Sequence, residues 1–164
     1  MGSEMCIRDR PKTEHDTIVL PHVKDDTDTQ YAAHWLLEQG YDEITLLGAL
    51  GGARLEHTLA NLATGLYLAK NGVNVLLANE RSELQYLVPG RELILQRRDW
   101  KYLSLFPMEG RLTGVCIRGA FYPLENAVLT ADYPLGVSNE FIADTAQLQC
   151  SGGCGLVVLT RDDA

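Results

Sequence analysis

The sequence predicts an α/β domain with a parallel sheet, followed by an all-β domain built as an antiparallel sandwich or barrel. Up to about residue 80, helical and strand-like apolar patterns alternate, which is typical of βαβ units. After residue 81 the pattern changes to short strand-like segments, separated by Gly, Pro and Asn turns at intervals of roughly ten residues. The 164 residues, of which 46% are hydrophobic, suffice for one ordinary domain or two small ones.

The first helix is predicted over about Asp28 to Gln39. The stretch "TIVL" at residues 17–20 is predicted as a short strand before it, because it contains β-branched residues. Thr27, followed three residues later by Gln30, forms the capping-box pattern of a helix N-terminus, and Gly40 ends the helical periodicity. The acidic stretch "KDDTDTQ" therefore leads directly into a helix.

A strand, a helix and a further strand follow. The stretch "EITLLGAL", Glu43 to Leu50, is a continuous apolar run of the kind that a parallel sheet buries on both faces. It ends in Gly51 and Gly52, and "VNVLLANE", from Val73, is predicted as the next strand. The helix between them carries apolar residues predicted on one side, namely Leu55, Leu59, Leu62, Ala63 and Leu66.

Short strands fill the second half. Their sequences are "ELQYLV", "RELILQ", "KYLSLF", "RLTGVCI", "NAVLT", "GVSNEFI", "AQLQC" and "GLVVL". Such strands, joined by regular turns, are typical of β-sandwiches and barrels. The stretch "CSGGC" has no second Cys or His pair to complete a zinc site, so Cys150 and Cys154 are interpreted as small apolar residues beside a Gly-Gly turn.

Composition excludes several classes of partner. The formal net charge is −8, so no basic face is available for a phosphate backbone, and nucleic acid is not an expected partner. No apolar run approaches the roughly 20 residues needed to span a bilayer, and no signal-peptide pattern is present, so a cytoplasmic location without a membrane is expected. Residues 1–10, "MGSEMCIRDR", lack periodicity and are interpreted as a non-native leader.

Three aspartates, Asp25, Asp26 and Asp28, lie close together just before the first predicted helix. One interpretation is a helix N-terminus, where Asp and Thr side chains accept hydrogen bonds from free backbone N–H groups and complement the helix dipole. The other is a divalent-cation site, because Mg²⁺ prefers carboxylate oxygens and is often recruited to phosphates. The two are compatible, since Thr27 can cap the helix while neighbouring carboxylates bind a metal.

Gly51 and Gly52 lie just beyond the end of a predicted strand, which is where open α/β sheets bind ligands. Because they lack side chains, the backbone can approach a ligand closely, and Arg54 adds a planar fork suited to phosphate. A tight strand-to-helix turn explains the two glycines equally well, and the stretch matches neither the Walker nor the Rossmann pattern. His57 and Asn61 lie one turn apart on the following helix, where they face the ligand edge together or belong to a helix face that water or backbone groups satisfy.

Taken together, "KDDTDT", "LLGALGGARLEHTLANL" and "GVSNEF" resemble bacterial thiamine pyrophosphokinase, also called thiamine diphosphokinase. The family pattern is K-D-x-T-D at a helix start, then G-[AT]-x-G-G-R-x-D-H-x-x-x-N, then a sandwich domain with a late S-N pair. The resemblance covers about residues 17–160. It implies a partial α/β parallel-sheet nucleotide-binding domain over residues 11–80 and an all-β sandwich domain that binds thiamine over residues 81–164.

The resemblance also implies a reaction and a set of site residues. Family members move the β,γ-pyrophosphoryl group of ATP to the hydroxyl of thiamine with Mg²⁺, release AMP, and act as homodimers with the site between subunits. The implied catalytic residues are Asp25, Asp28 and Arg54, with both aspartates as Mg²⁺ ligands. The implied ATP-binding residues are Thr27, Gly51, Gly52, Arg54, His57 and Asn61, and the implied thiamine-binding residues are Ser138 and Asn139.

The chain departs from the family pattern in two places. Ala53 is an extra residue before Arg54, and Glu56 stands where the family has Asp. In addition, the family motifs D-G-G and G-D-F-D-S have no counterpart before Asp25, so we expect a fragment without pyrophosphokinase activity of its own. Two alternatives stay open: a non-catalytic module that binds thiamine or a nucleotide, and a β-domain whose main role is dimer assembly.

Overall fold

The computed structural model describes residues 27–162. Within that range the chain forms two helices and ten strands, with the helices on one face of a six-stranded sheet and a four-stranded sheet on the other. The predicted strand at 17–20, the segment 1–10, Asp25 and Asp26 lie outside the described residues. Neither helix in the described range is long and apolar enough to cross a membrane.

The first part of the described chain follows the predicted order of helix, strand, helix and strand. The elements are α1 (Asp28–Glu38), β1 (Glu43–Leu47), α2 (Leu55–Lys70) and β2 (Asn74–Ala78). Strands β1 and β2 pair in parallel, with Ile44 opposite Val75, as predicted. Gly40 and Gly72 follow the two helices with φ angles of 82° and 88°, the left-handed conformation that commonly ends a helix.

The second part forms the predicted short strands. They are β3 (Ser82–Leu87), β4 (Leu93–Gln96), β5 (Tyr102–Pro107), β6 (Arg111–Arg118), β7 (Leu124–Thr130), β8 (Asn139–Glu140), β9 (Thr145–Gln149) and β10 (Gly155–Thr160). Strand β8 is much shorter than the predicted strand "GVSNEFI". The reason is that Ser138 has a φ of 59°, a left-handed backbone that cannot continue an extended strand.

Both parts of the chain contribute to the six-stranded sheet. Its order is β1-β2-β3-β10-β5-β8, and the four-stranded sheet has the order β4-β9-β6-β7. Strand β2 pairs antiparallel with β3, with Leu77 opposite Leu84, so the pairing continues across residue 80. Among the described strands, the predicted parallel arrangement therefore holds for β1 and β2, and the rest of the sheet is antiparallel. The division into 11–80 and 81–164 stays a prediction.

Two hydrophobic cores lie on opposite faces of the six-stranded sheet. The core between the two sheets contains Leu87, Leu103, Leu112, Ile117, Leu148 and Val157, among others. The core beneath the helices contains Leu68, Leu77, Leu84 and Leu156, among others. Along β10, Leu156 and Val157 enter different cores, as the two-residue period of a strand requires. The two sheets with their shared core form the predicted sandwich.

Two predicted burial patterns are wrong. Strand β1 is not buried on both faces, since Leu47 is 77% exposed. Within residues 27–162, β1 has one neighbour in the sheet and a helical layer on one face only.

On α2 the predicted apolar side is not the buried one along its whole length, since Leu55 and Leu59 are 70% and 59% exposed. Burial instead falls on the second half of the helix, which packs on the sheet, at Thr64, Gly65, Leu68 and Ala69.

Candidate functional site

The two helices run parallel to each other, so their N-termini point the same way. Thr64 Oγ1 donates a hydrogen bond to Gln30 Oε1 at 2.8 Å, and the rings of His34 and Tyr67 stack with 4.7 Å between centroids. From Gln30 to His34 on α1, the contacted residue on α2 moves from Thr64 to Tyr67, so both helices run in the same direction. Because α2 follows the end of β1, both N-termini lie toward the carboxyl end of β1, the edge where open α/β sheets bind ligands.

Thr27 and Asp28 lie at the N-terminus of α1. Thr27 is the N-cap residue, and its Oγ1 accepts a hydrogen bond from the Gln30 N–H at 3.1 Å, as the sequence predicts. Asp28 is exposed in the first turn, where negative charge complements the helix dipole. Residues 27–162 contain no group of three or more His, Cys, Asp or Glu side chains that could hold a metal ion. The Mg²⁺ site therefore stays a prediction that needs Asp25 together with Asp28.

Two side chains of α2 hold the glycine loop that follows β1. Thr58 Oγ1 accepts a hydrogen bond from the Gly51 N–H and donates one to the Gly51 carbonyl, each at 3.2 Å. One turn farther along, Asn61 Nδ2 donates to the Ala49 carbonyl at 2.9 Å. Gly51 and Gly52 both have a φ of 87°, a conformation that favours glycine. Asn61 is therefore bonded to the backbone of the loop, and its role in ATP binding stays a prediction. Thr58 was not predicted and is indicated only by its spacing from Asn61.

Arg54 occupies the N-cap position of α2 and pairs with Glu56. Its Nε donates to Glu56 Oε1 at 2.6 Å, and both side chains are exposed. This hydrogen bond lowers the pKa of the Glu56 carboxyl. The glutamate that replaces the usual aspartate thus occupies one edge of the guanidinium predicted to bind phosphate. His57 is exposed, and its backbone N–H donates to the Arg54 carbonyl at 3.1 Å.

Ser138 and Asn139 lie at β8. Ser138 is exposed, and its backbone N–H donates to Ser104 Oγ at 3.0 Å. Asn139 is 5% exposed, and its Oδ1 accepts from the N–H groups of Tyr122 at 2.8 Å and Glu140 at 3.0 Å. Its Nδ2 donates to the Tyr122 carbonyl at 2.8 Å. The Asn139 amide is therefore engaged with backbone groups.

An apolar cavity of about 450 Å³ adjoins Asn139. It is lined by Ile117, Tyr122, Pro123, Leu124, Leu135, Gly136, Val137 and Asn139. None of these lining residues is charged, so the cavity suits a flat and largely apolar ring system. Tyr122, Leu135 and Val137 were not predicted. Tyr122 and Leu135 lie in "FYPL" and "DYPL", where an aromatic residue precedes proline in connections that are usually polar, and Val137 lies in "GVSNEF".

The two predicted parts of the site lie far apart within one chain. Strands β1 and β8 occupy opposite ends of the six-stranded sheet. Across that sheet, five interstrand spacings of about 4.8 Å amount to roughly 24 Å. The structure therefore gathers the α1 N-terminus, the glycine loop and Arg54 at one edge and leaves Ser138, Asn139 and the cavity at the other.

Two family models match the chain. The thiamin pyrophosphokinase catalytic domain matches residues 7–77, and the thiamin pyrophosphokinase vitamin B1 binding domain matches residues 92–155. A thiamin pyrophosphokinase family protein of known structure from Enterococcus faecalis is 32% identical, with a TM-score of 0.75, over 89% of this chain and 68% of its own. The chain belongs to the thiamine pyrophosphokinase family.

Further thiamine pyrophosphokinases are similar to this chain. The enzyme of that name from Bacillus subtilis (strain 168) is 28% identical over 139 residues, which cover 85% of this chain and 64% of the relative. Thiamin pyrophosphokinase from Geobacillus thermodenitrificans, of known structure, is 28% identical with a TM-score of 0.78, over 88% of this chain and 66% of its own. The chain therefore spans slightly less than two thirds of the length of these two relatives.

The two thiamine pyrophosphokinase domain matches separate the same two parts of the candidate site that lie at opposite ends of the six-stranded sheet. The catalytic-domain range contains Asp28, the glycine loop and Arg54. The vitamin B1 binding range contains Ser138, Asn139 and every residue that lines the cavity. The catalytic-domain match starts at residue 7, inside the segment predicted to be a leader. The roles of the individual site residues stay predictions.

Proposed function

We propose that the protein is a thiamine diphosphokinase, which transfers the pyrophosphoryl group of ATP to the hydroxyl of thiamine and yields thiamine diphosphate and AMP. The observation that carries this proposal is the apolar cavity within the range that matches a vitamin B1 binding domain. Residues 11–80 then form the ATP-binding catalytic domain, with a nucleotide-binding parallel sheet, and residues 81–164 form the thiamine-binding sandwich domain.

ATP binds in this proposal at the edge formed by the α1 N-terminus and the glycine loop. Two helix N-termini directed at one edge favour bound phosphate, because their free N–H groups and dipoles attract negative charge. The proposed ATP-binding residues are Thr27, Gly51, Gly52, Arg54, His57 and Asn61. Asn61 acts by fixing the Ala49 carbonyl, and Arg54 binds phosphate in a bidentate manner once its hydrogen bond to Glu56 opens.

Mg²⁺ accompanies ATP, with Asp25 and Asp28 as its proposed ligands. When bound, the ion neutralises phosphate charge at the ATP edge. Asp28 suits this role because its side chain is exposed at a helix N-terminus that faces the same edge. The proposed catalytic set is Asp25, Asp28 and Arg54, which position and neutralise the phosphates without a strong protein base.

Thiamine occupies the cavity beside Ser138 and Asn139. The apolar lining accepts the ring system and disfavours a phosphate chain, so the reactive hydroxyl end of thiamine points out of the cavity. The exposed Ser138 supplies a hydroxyl at the rim. Transfer of the pyrophosphoryl group then requires that the sheet edge with the proposed ATP site lie against the rim of this cavity.

A homodimer with the site between subunits satisfies that requirement. Within one chain the two parts are roughly 24 Å apart across the sheet. Reacting atoms have to approach within about 3–3.5 Å, so the ATP edge of one copy has to meet the cavity of another. Large apolar side chains near the cavity are exposed, including Phe121, Tyr133 and Ile142, which is typical of a surface that a partner covers.

We also propose a cytoplasmic location without a nucleic-acid partner. Cys116, Cys150 and Cys154 are free thiols, which are typical of a reducing compartment. The net charge of −8 opposes binding to a polyanion.

The test is thiamine binding and thiamine-dependent AMP release by the 164-residue chain. Calorimetric titration should show saturable thiamine binding, and Ser138→Ala should weaken it more than it weakens ATP binding, because the hydroxyl contacts one ligand only. AMP release from ATP and Mg²⁺ that requires thiamine would establish the reaction. A wild-type chain that binds no thiamine would overturn the proposal.

A non-catalytic module that binds thiamine or a nucleotide is the second candidate. The observation in its favour is the ion pair between Arg54 and Glu56, which engages the guanidinium proposed to bind phosphate. Thiamine binding without AMP release is expected of this candidate and also of a thiamine diphosphokinase chain without activity of its own, so thiamine-dependent AMP release is the outcome that would exclude this candidate.

A further inference from the structure

The cavity beside Asn139 has two walls that come from different parts of the chain. One wall is the connection between β6 and β7, which carries Tyr122 and Pro123, and the other is the segment before β8, which carries Leu135 and Val137. We propose that Asn139 is a positioning residue of this cavity: its side-chain amide fixes Tyr122, and the ring of Tyr122 contacts the bound thiamine. This inference rests on the proposed function, because thiamine is the ligand assigned to the cavity.

The Asn139 side chain pairs with Tyr122 as a neighbouring strand would. Its Oδ1 accepts from the Tyr122 N–H, and its Nδ2 donates to the Tyr122 carbonyl, both at 2.8 Å. Two backbone hydrogen bonds continue this pairing on one side, from Phe121 N–H to the Glu140 carbonyl at 2.8 Å and from Ile142 N–H to the Gly119 carbonyl at 3.1 Å. The amide therefore extends a short antiparallel ladder by one residue.

The opposite wall is fixed independently to β5. Leu105 N–H donates to the Gly136 carbonyl at 2.8 Å, and Ser138 N–H donates to Ser104 Oγ at 3.0 Å. Asn139 directly follows this anchored segment and reaches across to Tyr122. It thereby sets the spacing between the two walls of the cavity.

The exposure of the two side chains decides which of them meets a ligand. Asn139 is 5% exposed and its amide is engaged with backbone groups, whereas Tyr122 is 64% exposed and lines the cavity. An aromatic face stacks on a flat heterocycle, and it also attracts a ring that carries positive charge. Phe121 supports the orientation of Tyr122 through an edge-to-face contact with 5.0 Å between ring centroids.

The first test is the substitution Asn139→Asp, measured by thiamine titration at two pH values. The carboxylate accepts from the Tyr122 N–H but cannot donate to the Tyr122 carbonyl, whereas the protonated acid can do both. Burial beside a carbonyl favours the protonated form. We expect binding about tenfold weaker than wild type at about pH 8 and within about threefold of wild type at about pH 5. An equal deficit at both pH values would overturn the donor role of Asn139.

A double-substitution cycle separates positioning from direct contact. Tyr122→Ala should weaken thiamine binding, and Tyr122→Phe, which keeps the ring, should bind within about twofold of wild type. In the Tyr122→Ala background, adding Asn139→Asp should weaken binding at about pH 8 by less than about twofold further. A further loss of about tenfold in that background would show that the Asn139 amide contacts thiamine itself, and it would overturn the proposal.

Amide hydrogen exchange tests the positioning role without any ligand. In Asn139→Ala, the protection of the Tyr122 amide should fall by at least about tenfold, because its acceptor is gone. The Leu105 amide, bonded to Gly136, should keep its protection and serves as the control for folding. Unchanged protection at Tyr122 would overturn the positioning role. If the wild-type chain binds no thiamine, the proposed function and the assignment of thiamine as the ligand of Tyr122 both fail. A fall in Tyr122 amide protection in Asn139→Ala would still support the positioning of Tyr122 by Asn139.

Discussion

At the residue scale, the extent to which the Arg54 guanidinium can bind another anion depends on its ion pair with Glu56. The hydrogen bond from Arg54 lowers the pKa of the Glu56 carboxyl. A lowered folded-state pKa means that the pairing is present at neutral pH and is lost only as the pH falls through that pKa. Because both side chains are exposed, salt also screens the pair. In the proposed ATP site, Glu56 therefore competes with phosphate for the guanidinium at neutral pH and less so in acid.

The substitution Glu56→Gln should strengthen ATP binding by roughly two- to fivefold, because it releases Arg54 from an exposed ion pair of modest strength. Titration with a fluorescent ATP analogue measures the effect, and the gain should shrink at high salt. Glu38→Gln is the matched control, since it removes the same charge from an exposed position at the end of α1. Weaker ATP binding after Glu56→Gln would instead show that Glu56 orients Arg54 toward the nucleotide.

Asp28→Asn tests the metal assignment. The amide keeps the size of the side chain and removes the charge, so the Mg²⁺ concentration needed for ATP binding should rise by at least about tenfold. The thermal midpoint should change little, because a charge in the first turn of a helix contributes only about 0.3–1 kcal/mol. Asp42→Asn, an exposed aspartate between α1 and β1, is the control. An unchanged Mg²⁺ requirement in Asp28→Asn would remove Asp28 from the ligand set.

At the element scale, the approach of α2 to the sheet depends on a glycine. The buried Tyr86 of β3 donates from its hydroxyl to the Leu62 carbonyl of α2 at 2.6 Å, and burial raises the pKa of this hydroxyl. A Cβ atom at Gly65 would lie 2.5 Å from the Tyr86 hydroxyl oxygen and 2.7 Å from a ring carbon. Gly65 therefore lets the tyrosine ring pack directly against the helix backbone.

Gly65→Ala should destabilise the fold by about 1–3 kcal/mol, because the ring has to shift within a packed core. Helix propensity alone predicts the opposite sign, a gain of about 1 kcal/mol. Denaturant unfolding of the two proteins decides between the signs. As the control, Ala63→Gly at an exposed position of the same helix should show the ordinary propensity cost. Increased stability of Gly65→Ala would mean that α2 can move away from β3 without loss.

At the scale of the whole molecule, the six-stranded sheet joins the helical layer to the sandwich. Strands β2 and β3 pair across the predicted domain boundary, and β10 contributes to both cores. Residues 27–162 should therefore unfold in a single transition. In a Trp35→Phe background, far-UV circular dichroism reports the helices and the fluorescence of buried Trp100 reports the sandwich.

Leu77→Ala, in the core beneath the helices, should lower the unfolding midpoint equally by both probes, with a loss of about 2–5 kcal/mol. Leu47→Ala, at a side chain that is 77% exposed, is the control and should change stability by less than about 0.5 kcal/mol. Two separate midpoints would show that residues 11–80 and 81–164 behave as independent domains.

Within the described range, the sequence by itself determined the kind and order of the helices and strands, because these depend on contacts within a few residues. Thr27 caps α1 through Gln30, Gly40 and Gly72 end the helices, and the turns between the later strands lie where Gly, Pro and Asn punctuate the chain. The same locality placed Asp28, the glycine loop and Arg54 near helix starts. The resemblance to a family, carried by three short motifs, then supplied their proposed chemistry.

The tertiary structure alone decided how distant segments meet. No local pattern reveals that β10 inserts between β3 and β5, that β8 ends the sheet far from β1, or that Gln30 bonds to Thr64. The cavity is likewise assembled from segments on both sides of β7, and Asn139 meets Tyr122 across seventeen residues. Such contacts are selected by the free energy of burying whole faces of sheets and helices together, and that energy depends on the complete packing and not on neighbouring residues in the chain.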